Sequence, residues 1–340
     1  MIEALKEILS GKSLSAATAR SVIFDILNQR ARPEQIGSLL TAFHYRPPTS
    51  QEISGMAMAF REKMISVRLA EIENYIDVCG TGGDGQSTFN ISTTVAFVVA
   101  ASGQGIAKHG NRAVSSRSGS FDVLEALEIP FADNEHEALR DLRNFNLSFL
   151  YAPSFHPAFR DLAGLRKALG VRTVFNVLGP LLNPAGVQRQ LVGVYSRDLV
   201  QPVAEALGEL GSIEAMVVHG DDGGDELSLC APSTIAHLRG GRVTLMKLAP
   251  EDVGLKRANP TDLQGGSAIA NARILIDLLN GKSGPQRDVV LLNSAAALLV
   301  GGKCGSIADG IEIAKQTLNS GRAHDLFGKM KIRQVTGAVV

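Results

Sequence analysis

Through roughly the first 65 positions, apolar residues recur at helical spacing. Ile2, Leu5, Ile8 and Leu9 form one stripe that Gly11 ends, and Val22, Ile23, Ile26 and Leu27 form a second. Pro33 and Glu34 open a third helix carrying Ile36, Leu39, Leu40 and Phe43. Thr49 followed by Glu52 makes a capping box for a fourth, striped by Ile53, Met56, Phe60 and Met64. Four short helices with no strand between them predict a small helical domain. From about residue 75 the pattern changes. Short apolar runs rich in β-branched residues (Tyr75–Cys79, Leu191–Tyr195, Ala215–His219, Val289–Leu292) alternate with longer helical stretches and read as strands. The expected class is α/β: a small all-helical N-terminal domain, then a larger domain with a mostly parallel central sheet flanked by helices. The division is expected at 1–70 and 71–340, with helices around 160–185 joining the smaller body. In such sheets ligands collect at the carboxyl ends of strands, so the loops after those runs are the places to look.

The first such loop is glycine-rich. Residues 76–90 read IDVCGTGGDGQSTFN and run into a helix at 91. Gly80, Gly82, Gly83 and Gly85 allow dihedrals and close backbone approaches that a Cβ would block. A turn of this kind can aim N–H groups at an anion, helped by the positive end of the next helix. Taken alone, the same residues also suit a tight strand–helix turn that binds nothing. No GK[ST] follows, which excludes a Walker A loop. A dinucleotide site wants an acidic residue about 20 positions on, and that region, GIAKHGNRAVSS, is cationic instead.

That cationic turn packs Lys108, His109, Asn111, Arg112, Ser115 and Ser116 into nine residues. Its place at the end of the next strand makes it a second anion loop, and two adjacent anion sites fit a ligand with phosphate at both ends. His109 has no nucleophile near it in sequence to activate and reads as a packing or hydrogen-bonding group. Further on, Asp221, Asp222, Asp225 and Glu226 place four carboxylates in six residues. They would repel a polyanion unless a hard cation such as Mg²⁺ lay between. A hydrophilic surface loop is the plain alternative.

Composition narrows the classes. Of 340 residues, Lys and Arg number 34 and Asp and Glu 34, so the general basic excess of a nucleic-acid binder is missing. No apolar run approaches the roughly 20 residues of a membrane helix. Cys79, Cys230 and Cys304 are isolated and lack metal spacing, as expected of reduced thiols in a cytoplasmic protein.

Together, GTGGDGQSTFNIST, KHGNRAVSS with SGS behind it, RTVFNVLGPLLNP and DELSL resemble the anthranilate phosphoribosyltransferases, in order and over nearly the whole chain. The family shares its fold with pyrimidine nucleoside phosphorylases. The resemblance implies transfer of the 5-phosphoribosyl group of phosphoribosyl pyrophosphate (PRPP) to anthranilate in tryptophan biosynthesis, with Mg²⁺, usually in a homodimer. It implies a PRPP site from Gly80, Gly83, Asp84, Thr88, Asn90, Ile91, Ser92 and Thr93. Lys108, His109, Gly110, Asn111, Arg112, Ala113, Val114, Ser115, Ser116 and Ser120 complete that site. Ser92, Asp225 and Glu226 match the magnesium positions. Gly80, Asn111 and Arg166 match anthranilate contacts, with His109 and Pro180 nearby; Arg166 is expected on a helix spanning Phe159–Leu169. No side-chain acid or base is expected, only charge stabilisation by Lys108, Arg112 and magnesium. Two departures stand beside the site: Phe121, where the family more often has alanine, and Ile129-Pro130 in a usual glycine region. The glutamine amidotransferase domain fused to some relatives is not seen here, so an anthranilate synthase partner would be a separate protein.

Overall fold

The computed structural model describes residues 1–69, 74–113, 118–162, 164 and 168–336. The four predicted N-terminal helices form as α1 (Ile2–Leu9), α2 (Ala16–Leu27), α3 (Pro33–Tyr45) and α4 (Ser50–Arg61). The Thr49/Glu52 box caps α4 reciprocally. Glu52 does more than cap. Fully buried, it also accepts from the Leu14 backbone N–H at 2.8 Å and pairs with Arg46 at 2.6 Å, tying the α1–α2 and α3–α4 connections to one carboxylate. Burial works to raise the Glu52 pKa, but its hydrogen bonds and the Arg46 charge outweigh that and leave it lowered.

The sheet contains β1 (Ile76–Gly80), β2 (Ile106–Gly110), β3 (Leu147–Tyr151), β4 (Arg189–Gly193), β5 (Glu214–Gly220), β6 (Ser233–Arg239) and β7 (Arg242–Leu248). Their spatial order is β3-β2-β1-β4-β5-β6-β7. The first five run parallel; β6 and β7 are antiparallel and are joined through Gly240–Gly241. The chain therefore builds outward from β1 to β3, then returns to β1's other side with β4. The order reverses between β1 and β4, and a crevice opens there at the strands' carboxyl ends.

Alternation along the strands serves two cores. Val78, Leu191, Met216 and Val218 face one made with α5 (Ile91–Ala101) and the helices Ala268–Leu279, Pro285–Val300 and Ile307–Asn319. Cys79, Val192, Ala215 and Val217 face the other, which also holds the apolar stripes of α1–α4. The N-terminal bundle is thus packed on the second face of the sheet, helped by Arg61, whose Nε donates to the Leu181 carbonyl at 2.8 Å.

One expected strand is a helix. Val289–Leu292 lies inside Pro285–Val300, whose residues from Val289 to Val300 are almost all buried. A helix enclosed on every side has no polar face, so its apolar run carries no period that separates it from a buried strand. The helix expected over Phe159–Leu169 is seen as Pro157–Asp161, and residues 163 and 165–167 lie outside the described residues.

Candidate functional site

At the crevice, Gly80 and Gly193 are register partners on β1 and β4. The absence of both side chains lets the acidic loop cross the strand ends. A Cβ on Gly193 would fall 1.4 Å from the Asp225 carbonyl oxygen, and one on Gly80 would fall 2.5 Å from Asp225 Oδ2. The glycine loop and the acidic loop then bond directly. Gly82 N–H donates to Asp225 Oδ2 at 2.8 Å, Asp225 N–H to Asp84 Oδ2 at 3.4 Å, and Gln86 Nε2 to the Asp222 carbonyl. Gly82, Gly83 and Gly85 all take positive φ, the conformation for which the sequence required glycine.

Beneath the loops lies a charged cluster. The Ser92 backbone N–H donates to Glu226, and Lys108 Nζ donates to Ser92 Oγ at 3.2 Å and to the Val78 carbonyl. Burial, then the Asp84 charge, pushes the Asp225 carboxyl up to about 7; burial, then Asp225, holds Glu226 well above the usual carboxylate range. The Lys108 charge only partly offsets these crowded acids, and their hard oxygens with the Ser92 hydroxyl form a donor set suited to Mg²⁺. The loop's far end is fixed by Asn293, whose side chain exchanges hydrogen bonds with the Leu227 N–H (3.0 Å) and carbonyl (2.9 Å). The helix mistaken for a strand is therefore what anchors the acidic loop.

The other expected residues divide by position. Asn90 stands at the N-cap position of α5 without a side-chain cap bond, its Oδ1 instead accepting from Asn271 Nδ2 at 2.8 Å, and Thr88 forms an isolated bridge with Gln264. Ile91 and Thr93 are enclosed in the packed face of α5. Gly110 ends β2 against Ser120 and Phe121. The Asn111 carbonyl accepts from Ser120 Oγ at 3.2 Å, and Ala113 N–H donates to Asp122 at 2.9 Å. Arg112 is paired with Glu125, and its guanidinium carbon sits 5.7 Å from the Tyr151 ring centroid. Val114, Ser115, Ser116 and Arg166 lie outside the described residues. Phe121 is fully buried against Phe131 and Tyr151, so this departure acts through packing.

His109 is a bonded core residue, as its sequence context suggests. Its Nδ1 lies 2.7 Å from Asp77 Oδ2 and its Nε2 2.8 Å from the Gly179 carbonyl, while Asn183 Nδ2 donates to Asp77 Oδ2 and the Ala107 carbonyl, both at 2.8 Å. Pro180 is buried next door, its carbonyl accepting from Gln190 at 2.8 Å. Asp77, Cys79 and His109 bring possible metal-ligand atoms within 4.8 Å of one another. The ring nitrogens are already engaged and burial pushes the Cys79 thiol up, so these three form a hydrogen-bonded knot on the bundle side.

Two residues lie in the quoted segments IDVCGTGG and RTVFNVLGPLLNP without a role assigned from sequence. Asp77 sits in the strand run, where burial alone would call for an apolar side chain. Arg172 stands at the opposite wall of the crevice: its guanidinium carbon lies 5.1 Å from the Tyr195 ring centroid, and its Cδ would be 3.5 Å from a Cβ on Gly83. An acid inside a β run is a readable signal for the first. Arg172 meets Gly83 and Tyr195 only in the fold.

Residues 2–64 match the glycosyl transferase family's helical bundle domain and residues 72–324 its a/b domain. Among curated relatives, the anthranilate phosphoribosyltransferase of Symbiobacterium thermophilum is 44% identical over 327 residues, 96% of each chain. That of Chloroflexus aggregans is 46% identical over 330 residues, again 96% of each. Among solved structures, anthranilate phosphoribosyltransferase from Thermus thermophilus superposes with a TM-score of 0.89 at 40% identity, covering 97% of this chain and 98% of that one. The Saccharomyces cerevisiae enzyme in complex with PRPP and Mg gives 0.87 at 30% identity, covering 99% and 98%. Among the described residues, no helix is long and apolar enough to cross a membrane.

Proposed function

The chain belongs to the anthranilate phosphoribosyltransferase family, and we propose that the crevice between β1 and β4 is where it performs that family's reaction. The enzyme transfers the 5-phosphoribosyl group of PRPP to the amine of anthranilate, giving N-(5-phosphoribosyl)anthranilate and pyrophosphate, in tryptophan biosynthesis. PRPP lies with its pyrophosphate over the glycine loop (Gly80, Gly83, Asp84) and the α5 N-terminus (Thr88, Asn90 to Thr93), and extends toward the cationic turn. The enclosure of the Ile91 and Thr93 side chains leaves their backbone as the part available to it. Asp225, Glu226 and Ser92 hold magnesium, which when bound neutralises pyrophosphate and makes it a better leaving group. Lys108, already oriented on Ser92, places a fixed positive charge beside that position. Anthranilate takes the side of Gly80, Asn111, His109 and Pro180, with Arg166 holding its carboxylate in a fork by family motif.

Attack asks for no base beforehand, and the acidic anilinium proton left once the C–N bond has formed passes to solvent. An aniline nitrogen is nucleophilic as it stands, and His109 has both ring nitrogens committed to Asp77 and Gly179. Positioning and charge stabilisation then drive a dissociative displacement at ribose C1. The smaller body is assigned residues 1–70 together with the 160–185 segment, a division supported by Val174, Phe175 and Val177 sharing the bundle core. The assembly is proposed as a cytoplasmic homodimer that receives anthranilate from a separate synthase.

The observation that carries this reading is the buried acid pair Asp225 and Glu226, interlocked with a glycine loop at the switch point. Mixing enzyme, Mg²⁺ and anthranilate and then adding PRPP should quench anthranilate fluorescence. Persistence of the fluorescence would remove the reading.

A further inference from the structure

The phosphoribosyl donor brings several negative charges to loops that already carry Asp84, Asp222, Asp225 and Glu226. The cations expected to meet them are largely engaged. Lys108 Nζ is held by Ser92 and the Val78 carbonyl, and Arg112 is paired with Glu125. Arg172 is not. Among the described residues its guanidinium has no carboxylate partner; it lies over the Tyr195 ring, and its stem runs along the backbone of Gly83. Its charge is felt there, since it works against the burial that raises the Tyr195 hydroxyl pKa.

The platform beneath it, just past β4, is bonded to the glycine loop. Tyr195 N–H donates to Thr81 Oγ1 at 3.0 Å, and Thr81 N–H donates to the Gly193 carbonyl at 2.9 Å. Stacking on an aromatic face leaves a guanidinium's in-plane N–H groups free to fork onto an anion. On its other side Arg172 is tied to the bundle: it lies one residue before Thr173, the N-cap residue of the helix Val174–Leu178, whose Val174, Phe175 and Val177 are buried in the bundle core. A cation anchored to one body thus lies across the anion loop of the other.

From this we propose that Arg172 is a substrate-binding residue whose guanidinium clamps the pyrophosphate end of PRPP against the Gly83 backbone. This rests on the PRPP reading of the glycine loop. Because Arg172 is exposed, its removal leaves folding intact, and methionine preserves the apolar stem over Gly83 while deleting the charge. Arg172→Met should raise the KM for PRPP about 10- to 100-fold, the scale of a lost charge-assisted hydrogen bond. The KM for anthranilate should move less than about twofold. Inhibition by inorganic pyrophosphate with Mg²⁺ should weaken in parallel, whereas inhibition by ribose 5-phosphate should not. Arg172→Lys should recover only part of the loss, since a point charge cannot reproduce the fork. An unchanged KM for PRPP, a shift confined to anthranilate, or weakening toward ribose 5-phosphate alone would each overturn the assignment. The same assay on unaltered enzyme keeps the two ideas apart. If that enzyme neither consumes anthranilate nor binds pyrophosphate, the glycine-loop reading fails. If it does both and Arg172→Met matches it, only the clamp fails.

Discussion

The glycine loop and the acidic loop meet over the same two strands and work by opposite means. Residues 80–85 contribute shape: positive dihedrals and missing Cβ atoms, with Asp84 the single charge. Residues 221–226 contribute charge in a fixed place, held by Asn293 from behind and by Gly82 from the front. The acids need glycines at 80 and 193 to reach the crevice, and on the proposed reading the glycine turn gains its cation through the acids. A functional loop can therefore depend on a residue whose only contribution is an absent side chain.

The comparison can be broken from the charged side first. Asp225→Ala with Glu226→Ala should cost on the order of 1,000-fold in kcat/KM, with the loss concentrated in magnesium-dependent use of PRPP. A double variant with normal PRPP kinetics across a magnesium titration would show that the acids are only a surface feature. Gly193→Ala tests whether shape alone can disable the charged loop. A Cβ at 1.4 Å from the Asp225 carbonyl must push the loop away. Activity should fall roughly 100-fold, as expected for a displacement of about 1 Å, with about 1–3 kcal/mol of overpacking strain visible in denaturant unfolding. Wild-type kinetics there would mean that the two loops are not interlocked.

Gly83→Val addresses the glycine loop directly. Its φ of +73° disfavours any β-branched residue, although the space around it would admit a Cβ. The protein should fold yet bind PRPP about 10-fold or more weakly, and tight binding by calorimetry would refute a backbone cradle. The smallest effect is on pH. With Asp225 raised from near 3.8 to about 7, the metal-free fold retains a proton that the unfolded chain has lost. Stability from this group is fully present below about pH 4 and disappears as pH rises through about 7. Magnesium must displace that proton, so its apparent affinity should rise about tenfold between pH 6 and 8. Asp225→Asn should flatten the metal-free stability profile, whereas Gly83→Val should leave its slope unchanged. Equal slopes in wild type and Asp225→Asn would assign the pH response elsewhere.

What could be read in advance follows the same division. Local patterns served well for α1–α4, because amphipathic stripes and the Thr49/Glu52 box report on a few neighbouring residues. The glycines allowed the positive dihedrals found at Gly82, Gly83 and Gly85, whereas the four carboxylates of 221–226 read either as a cation site or as a surface loop. The hairpin of β6 and β7 went unread despite Gly240–Gly241 between two alternating runs, a direct turn signal. Val289–Leu292 could not be read, because burial on all sides erases periodicity. Arg172 and Asn293 depend on partners far along the chain, Gly83 with Tyr195 and Leu227, which no local window contains.

The alternation in β1 has a consequence for how this gene can change length. Val78 faces one core and Cys79 the other, while Asp77 is committed to His109 and Asn183. Losing or gaining one codon anywhere in β1 would turn every side chain to the opposite face. The Asp77 carboxylate would enter an apolar core, and the glycine partner of Gly193 would leave the strand end. At Gly240–Gly241, both glycines lie in an exposed turn with nothing close around them, so the same event would alter little. Insertions in this lineage should therefore gather at the β6–β7 turn and stay out of the strand that carries the crevice.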